Sequence, residues 1–377
     1  MKIKIEQLKK KLKKKKLIVF GAGPTLKEFL DYSEIKPSKI LDNNQDLWGK
    51  KIYDIEVNKP EYVKSQKNVL VVICTVAVEE IAKQLVGFGL RKNVDFFESP
   101  FLVINNFENI NSNFLISSFG DEGGIYLYNG KEIKKKLSGN FRGLCQYYDG
   151  FIGIVENFGI FLIDKDFKLK KKIFIDENSK FHGVTIDDKL KRVFVAETAY
   201  DRIGIYDLKK FVKIDEFKMQ SSFIDKHHIN SIQFFRRKLY ASMFSIDGDW
   251  RDGNWKNGVV AEIDLKKKKI KKIFNKNLSQ PHSILIENND IYICNSMKFE
   301  LIKNNKSLVQ FSGYVRGLCK YEHFFLIGQS QPRRISNFSN FSNISLDSGF
   351  YIWDSNNNTS KFFKIKNVNI FDLIRII

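Results

Sequence analysis

The 377-residue chain is 43% hydrophobic and 14% aromatic with 6 prolines, which excludes wholesale disorder and supplies enough apolar side chain for one large core or two smaller ones. Its formal charge of +20 invites comparison with nucleic-acid readers, but the lysine runs at 168–172 and 266–272 fall in different repeats and show no interleaved exposed aromatics, so no specific nucleic-acid partner is expected. No apolar run approaches the roughly 20 residues that cross a bilayer, and no secretory signal is legible, so a cytoplasmic protein without a transmembrane segment is expected.

The lysines leave open a peripheral contact with an anionic membrane face or another polyanion. Cys74, Cys145, Cys294 and Cys319 form no CxxC pair, and they read as small buried hydrophobes in a reducing compartment.

In chain order, the basic N-terminal segment carries Ile3, Ile5, Leu8 and Leu12, which suits a short amphipathic helix that packs on the next domain or lies on an anionic surface. Leu17 to Phe20 predicts a buried strand, followed by Gly21-Ala22-Gly23 and a helix from Thr25 to Tyr32. A strand at Lys39 to Leu41 ends at Asp42. Beyond it come a polar turn at Gly49 to Ile52, a buried strand at Asn68 to Cys74, a helix at Val76 to Phe88 and a strand near Asp95 to Glu98. Buried β-branched strands alternating with helices predict an α/β domain over residues 1–100, its parallel sheet covered on both faces.

Gly21 and Gly23 allow a tight turn and a close backbone approach at a helix N-terminus, where free N–H groups favour phosphate. Asp42, about 20 residues further on at a strand end, is placed to hold a ribose hydroxyl pair. The third small residue of a full GxGxxG fingerprint is Leu26 here. The residues alone therefore leave nucleotide binding and a purely architectural or dimerising role both open.

From Lys16 to Pro100 the order is strand, Gly21-Ala22-Gly23, helix, strand, Asp42-Asn43-Asn44, Gly49-Lys50, buried strand, helix and Gly87-Phe88-Gly89. This resembles the N-terminal domain of bacterial sugar O- and N-acyltransferases of surface-glycan synthesis. The resemblance implies a Rossmann-like domain that binds a nucleotide or nucleotide sugar, with Gly21, Gly23 and Asp42 as its binding residues. Pro24 replaces the more usual small or polar follower, and the left-handed hexapeptide-repeat helix that carries acyl transfer has no counterpart. The resemblance thus implies a nucleotide-sugar context without acyltransferase activity.

After a linker at 101–111, residues 112–377 repeat. Phe141-Arg-Gly-Leu-Cys145, Phe181-His-Gly-Val184, Ile229-Asn-Ser-Ile232, Pro281-His-Ser-Ile284 and Val315-Arg-Gly-Leu-Cys319 open successive units. Each unit continues with a polar turn, a strand, a third strand ending in a polar or acidic residue and usually a lysine-rich fourth strand, as in a propeller blade. Residues 113–137 supply only three strands. The terminal Asn369 to Ile374 segment is expected to become the innermost strand of that first blade, closing an all-β six-bladed propeller and removing both free edges.

Aligned in this way, Arg142, His182, Asn230, His282 and Arg316 occupy equivalent positions near the mouth of the central channel. Two arginines without an acid at this level would grip a carboxylate or phosphate. Connections between second and third strands emerge on the same face and add Glu156, Glu197, Asn295 and Gln329. Two of these connections are long. Ser245 to Lys256 holds Trp250 and Trp255, suited to stacking on a sugar ring, and Gln329 to Ser348 holds Arg333 and Arg334. Either loop could close over a ligand or pack on the first domain.

His182, His228 and His282, with Glu197, could hold Fe, Mn or Zn. Without metal, His182 or His282 would serve as general base, or the histidines would only hydrogen-bond in a wet channel. The expected function is an enzyme of bacterial surface-polysaccharide or nucleotide-sugar metabolism acting on an anionic sugar derivative. His182, His228, His282 and Glu197 are the candidate catalytic residues. Arg142, Asn230, Arg316, Asn295, Gln329, Trp250, Trp255 and Arg333 are the candidate substrate-binding residues. Epimerisation, elimination, hydrolysis and transfer stay open, as do a non-catalytic glycan-binding or scaffold role and a polyanion-binding module.

Overall fold

A computed structural model describes residues 5–102, 107, 110–155, 157–174, 178–219, 225–252, 256–332 and 343–376. The chain divides into two compact units, residues 1–105 and 106–377.

The first unit is a six-stranded sheet in the order Lys51–Ile52, Ile55–Asn58, Lys39–Leu41, Lys16–Phe20, Val69–Ile73, Phe96–Glu98. All neighbours are parallel except the first pair, a short hairpin. The polar turn expected at Gly49 to Ile52 is therefore the start of a hairpin. The strand Ile55–Asn58 went unread because its two buried residues, Ile55 and Val57, alternate with polar ones over only four positions.

The central strand is apolar and buried from Leu17 to Phe20 because both its faces are covered. Leu17 and Val19 join Leu8 of helix Ile5–Leu12 and Phe29 of helix Pro24–Ser33, while Ile18 and Phe20 join Ile81 and Leu85 of helix Val78–Gly87. The amphipathic N-terminal helix thus spends its apolar face on its own sheet, with Leu8 fully buried. No helix among the described residues is long and apolar enough to cross a membrane.

The second unit is a six-bladed propeller of four-stranded antiparallel sheets. The innermost strands of blades two to six are Phe141–Tyr147, Phe181–Asp187, Ile229–Phe235, Pro281–Glu287 and Tyr314–Tyr321. Asn369–Ile376 is the innermost strand of blade one and pairs antiparallel with Asn113–Phe119, so the two ends of the propeller sequence close one sheet. Apolar residues of neighbouring blades pack between them, as Phe194 and Ile203 of blade three do with Ile232 and Leu239 of blade four. The lysine runs lie along outermost strands such as Leu169–Phe174 and Lys269–Leu278, where charge discourages pairing with other chains.

All six innermost strands break register with their neighbours at the same level. The breaks fall between Phe141 and Leu144, Phe181 and Val184, Ile229 and Ile232, His282 and Ile284, Val315 and Leu318, and Ile370 and Asp372. A bulge of this kind re-aims the side chain it carries.

The second residue of each bulge is small or hydrogen-bonds outward, because the next blade's backbone passes beside it. A Cβ on Gly143 would stand 2.5 Å from the His182 carbonyl oxygen, and one on Gly183 2.6 Å from that of Asn230. Where a side chain is present it reaches the next blade. Ile284 N donates to Ser231 Oγ (3.1 Å), Gly317 N to Ser283 Oγ (2.6 Å) and Leu144 N to Asp372 Oδ2 (3.1 Å). Thr198, Ser296 and Ser330 donate to the carbonyls of Ile229, Val315 and Ile370 at 2.6, 2.6 and 2.9 Å, completing a belt of inter-blade bonds.

Asp372 is the ionisable member of this belt. Burial pushes its carboxyl from the ordinary 3.8 up to about 7, against the pull of the Leu144 and Leu373 N–H groups and of Arg316. The folded chain thus keeps a proton that the unfolded chain releases near pH 4, and stability falls as pH rises from about 4 to about 7. Asp372→Asn is expected to remove this contribution. Between pH 5 and pH 8 the stability of the native sequence should drop by on the order of 2 kcal/mol more than that of the variant, as read from urea unfolding. Parallel pH dependences would contradict the assignment.

Candidate functional site at the propeller channel mouth

The first residue of each bulge is Arg142, His182, Asn230, His282, Arg316 and, on the closing strand, Phe371. All six are buried. The Arg142 guanidinium lies 3.8 Å from the Phe119 ring centre and 5.2 Å from that of Phe371, and the Arg316 guanidinium 4.3 Å from Phe371 and 5.7 Å from Phe119. Two cations thus share two aromatic rings. The His182 ring lies 5.3 Å from Phe371 and 5.3 Å from His228. Burial holds His182 well below its usual protonation range, and the charges of Arg142 and Arg316 add to the effect, so its ring is neutral. Nδ1 of His182 and Nδ2 of Asn230 are buried and have no hydrogen-bond partner among the described residues. A buried polar atom left in this way favours a ligand or water that pairs with it.

His228 reaches this cluster from the turn before the blade-four inner strand. Asp201 accepts the backbone N–H groups of Lys226, His227 and His228 at 2.6, 3.0 and 3.0 Å, which holds His228 at φ +50°. Asp225 lies 2.9 Å from His228 Nδ1 and 2.9 Å from Arg251 Nη2. Burial disfavours the Asp225 charge, but the hydrogen bond from His228 and the charges of Arg251 and Lys180 outweigh it and hold the carboxyl below its usual range. The His228 ring packs on Phe244 (4.2 Å) and Trp250 (4.7 Å), and Trp250 Nε1 donates to the Asp225 carbonyl at 3.0 Å. Phe244 also packs on His282 (5.1 Å). His282 Nδ1 is 2.7 Å from Ser296 Oγ and 3.0 Å from the Gln280 carbonyl. Ser296 gives its own proton to the Val315 carbonyl, so His282 Nδ1 carries the hydrogen.

The structure therefore brings Arg142, His182, His228, His282 and Arg316 into one cluster, with Asn230 on the same ring and Trp250 against His228. Trp255, Arg333, Arg334 and Glu156 lie outside the described residues. Three other expected members of the site face elsewhere. Glu197 is buried within its own blade, where it accepts from Tyr206 Oη (2.8 Å), Lys213 Nζ (3.0 Å) and Arg202 Nε. Asn295 accepts from Ser279 N (2.6 Å) and donates to Glu300 (2.7 Å). Gln329 donates to the Asp347 carbonyl (2.7 Å) and accepts from Tyr351 Oη (3.0 Å).

The expected three-imidazole metal set has no counterpart, since no group of three or more His, Cys, Asp or Glu side chains among the described residues could hold a metal ion. His228 and His282 commit Nδ1 to Asp225 and to Ser296 or Gln280, and Phe244 packs against both rings. Asp372, beside Phe371, lies within the field of Arg316, which pulls its carboxyl down against the larger effect of burial.

In the first unit, Gly21 (φ +110°) follows the central strand, and a Cβ there would stand 2.7 Å from the Cys74 carbonyl oxygen. Asp42 accepts from Ala22 N (2.8 Å) and Asn44 N (2.9 Å), so its carboxylate already fastens the glycine turn. Gly23 caps the helix Pro24–Ser33 without a side-chain bond.

Phe371, Phe119, Phe244, Asp225 and Asp372 were missed in the sequence. Phe371-Asp372 stands where Arg142-Gly143 stands in blade two, a sixth repeat legible only once the closing strand is aligned with the others. The assignment of Glu197 to its own blade has a direct check. Glu197→Ala strips a buried acceptor from Tyr206, Arg202 and Lys213 and should cost about 2 kcal/mol in thermal or urea unfolding. Unchanged stability would contradict it.

Residues 163–374 match the family model described as Domain of unknown function (DUF4915). No curated protein matches the chain. Among solved structures, a chain in the crystal structure of a nidogen/laminin complex is similar over 71% of this chain and 98% of its own, at 13% identity and a TM-score of 0.53. A protein of unknown function from Bacteroides caccae is similar over 71% of this chain and 99% of its own, at 12% identity and a TM-score of 0.51. At these identities the likeness shows the propeller fold alone. The family match runs from the third strand of blade two into the closing strand and covers more than half of the sequence, so the chain belongs to the DUF4915 family.

Proposed function

We propose that the propeller binds an anionic sugar derivative at its channel mouth and that the chain serves nucleotide-sugar or surface-polysaccharide metabolism. The observation that carries this reading is the pair Arg142 and Arg316, two permanent cations flanking Phe371 and Phe119 beside the neutral His182. A guanidinium backed by an aromatic ring keeps its edge for bidentate hydrogen bonds to a carboxylate or phosphate. The unpartnered His182 Nδ1 and Asn230 Nδ2 add polar contacts, and Trp250 and Phe244 supply flat apolar faces of the kind that pack on a pyranose ring.

The sugar-nucleotide context draws on the resemblance of residues 16–100 to acyltransferase N-terminal domains. Two features support it. The central strand is flanked by Lys39–Leu41 on one side and Val69–Ile73 on the other, so the strand order reverses beside it, and Gly21 to Gly23 sit at its carboxyl end. Open α/β sheets bind ligands at such reversals.

Titration calorimetry with D-glucuronate and D-glucose tests the reading. D-glucuronate is expected to bind and D-glucose to bind at least tenfold more weakly. Arg142→Gln and Arg316→Gln should each weaken D-glucuronate by about tenfold to a hundredfold, the worth of a charge-assisted hydrogen bond. No binding of D-glucuronate, or full affinity in the double variant, would overturn it.

A further inference from the structure

We infer that Asp225, acting through His228, sets which anions the mouth accepts and restricts them to polyhydroxylated ones. The inference rests on the anion-binding reading above and goes beyond it by assigning the opposite side of the site.

An ionised carboxylate only accepts hydrogen bonds, so with Asp225 at 2.9 and 3.1 Å His228 Nδ1 carries a proton, the single one of the ring's uncharged form. Arg251 Nη2 at 2.9 Å keeps Asp225 charged, and Trp250 Nε1 and Arg251 Nη1 both donate to the Asp225 carbonyl and fix the turn. The other nitrogen, Nε2, makes no hydrogen bond with any described residue. In the uncharged ring it is a lone-pair acceptor.

The mouth therefore has two chemically opposite sides. Arg142 and Arg316 only donate, and they suit the oxygens of a carboxylate or phosphate. Nε2 of His228, with the ring proton on Nδ1, accepts, and the oxygens of an ionised acid carry no proton to give it. Hydroxyl groups do. The rings of Phe244 and Trp250, packed on His228, leave apolar surface for the C–H faces between the two ends. A ligand that satisfies both sides is an acid bearing hydroxyls, such as a sugar acid or a sugar phosphate. One that lacks hydroxyls offers this acceptor no proton, which is how polar sites reject close analogues.

D-glucuronate and cyclohexanecarboxylate, two ring acids of similar size, separate the possibilities in calorimetry on the full chain at pH 8. The native sequence should bind D-glucuronate at least about tenfold more tightly than the hydroxyl-free acid. In Asp225→Asn, Arg251 retains the amide oxygen, so the amide N–H faces Nδ1 and drives the ring proton to Nε2. That variant should lose most of its preference for D-glucuronate while keeping its affinity for cyclohexanecarboxylate. The ¹⁵N shifts of His228 should report the change of tautomer, a readout that a merely structural role for Asp225 would not move. His228→Phe, which keeps the ring packing and removes the acceptor, is a second route to the same loss should Asp225→Asn unfold.

If both acids bind equally and depend on Arg142, the hydroxyl requirement is wrong while anion binding stands. If neither binds, both readings fail together. A preference that survives Asp225→Asn and His228→Phe would remove Asp225 and His228 from its origin.

Discussion

The structure turns on one backbone irregularity repeated six times, the bulge that interrupts each innermost strand at a common level. A regular strand would send alternate side chains into the two blade-to-blade interfaces and leave the channel lined by backbone. The bulge breaks that alternation and turns one side chain per blade toward the axis. It also frees backbone N–H and C=O groups that need partners. The neighbouring blade supplies many of them, through Ser231, Ser283 and Asp372 on the inner strands and Thr198, Ser296 and Ser330 at the ends of second strands. The same irregularity that builds the site thus ties the blades together, and closure by Asn369–Ile376 puts both duties on the last strand.

The chemistry of the mouth follows from which residues hold those turned positions. Two arginines on either side of the closing strand's Phe371 make a cationic flank. Beyond them His182 is neutral, because ionising a buried imidazole beside two guanidiniums is unfavourable. His228 comes from a turn held by three backbone N–H bonds to Asp201, and it completes the cluster with a ring whose tautomer Asp225 dictates. Aromatic rings stand between the buried charged groups, where a low dielectric strengthens each electrostatic contact.

The propeller, its six blades and its closure were legible because the opening segment of each blade repeats, from Phe141-Arg-Gly to Val315-Arg-Gly, and because a three-stranded first unit demands a fourth strand from elsewhere. The rim positions followed from the same alignment. Glu197, Asn295 and Gln329 were misplaced for a definite reason. Each lies at or one residue from the end of a second strand, and sequence gives the level along a strand without saying whether the side chain turns to the axis or to the outer strands. Partners decide that, and Tyr206, Arg202 and Lys213 for Glu197 lie on strands whose register no pattern in the sequence fixes. Asp225 stood in a stretch without periodicity. Asp372 was hidden because the closing strand was used to count blades and was not aligned with the repeats it completes. In the first unit the glycine turn and Asp42 were found, but the bond from Ala22 N to Asp42 was not, since it depends on the spatial neighbourhood of two strand ends.

Inner-strand bulges, together with the turn that carries His228, gather the arginines and imidazoles of the proposed site at the channel mouth. A crystal structure of the chain grown with D-glucuronate measures this most directly. The account predicts the carboxylate within hydrogen-bond distance of Arg142 and Arg316 and a sugar hydroxyl within reach of His228 Nε2. A sugar bound on an outer blade surface, with the channel mouth holding only water, would contradict it.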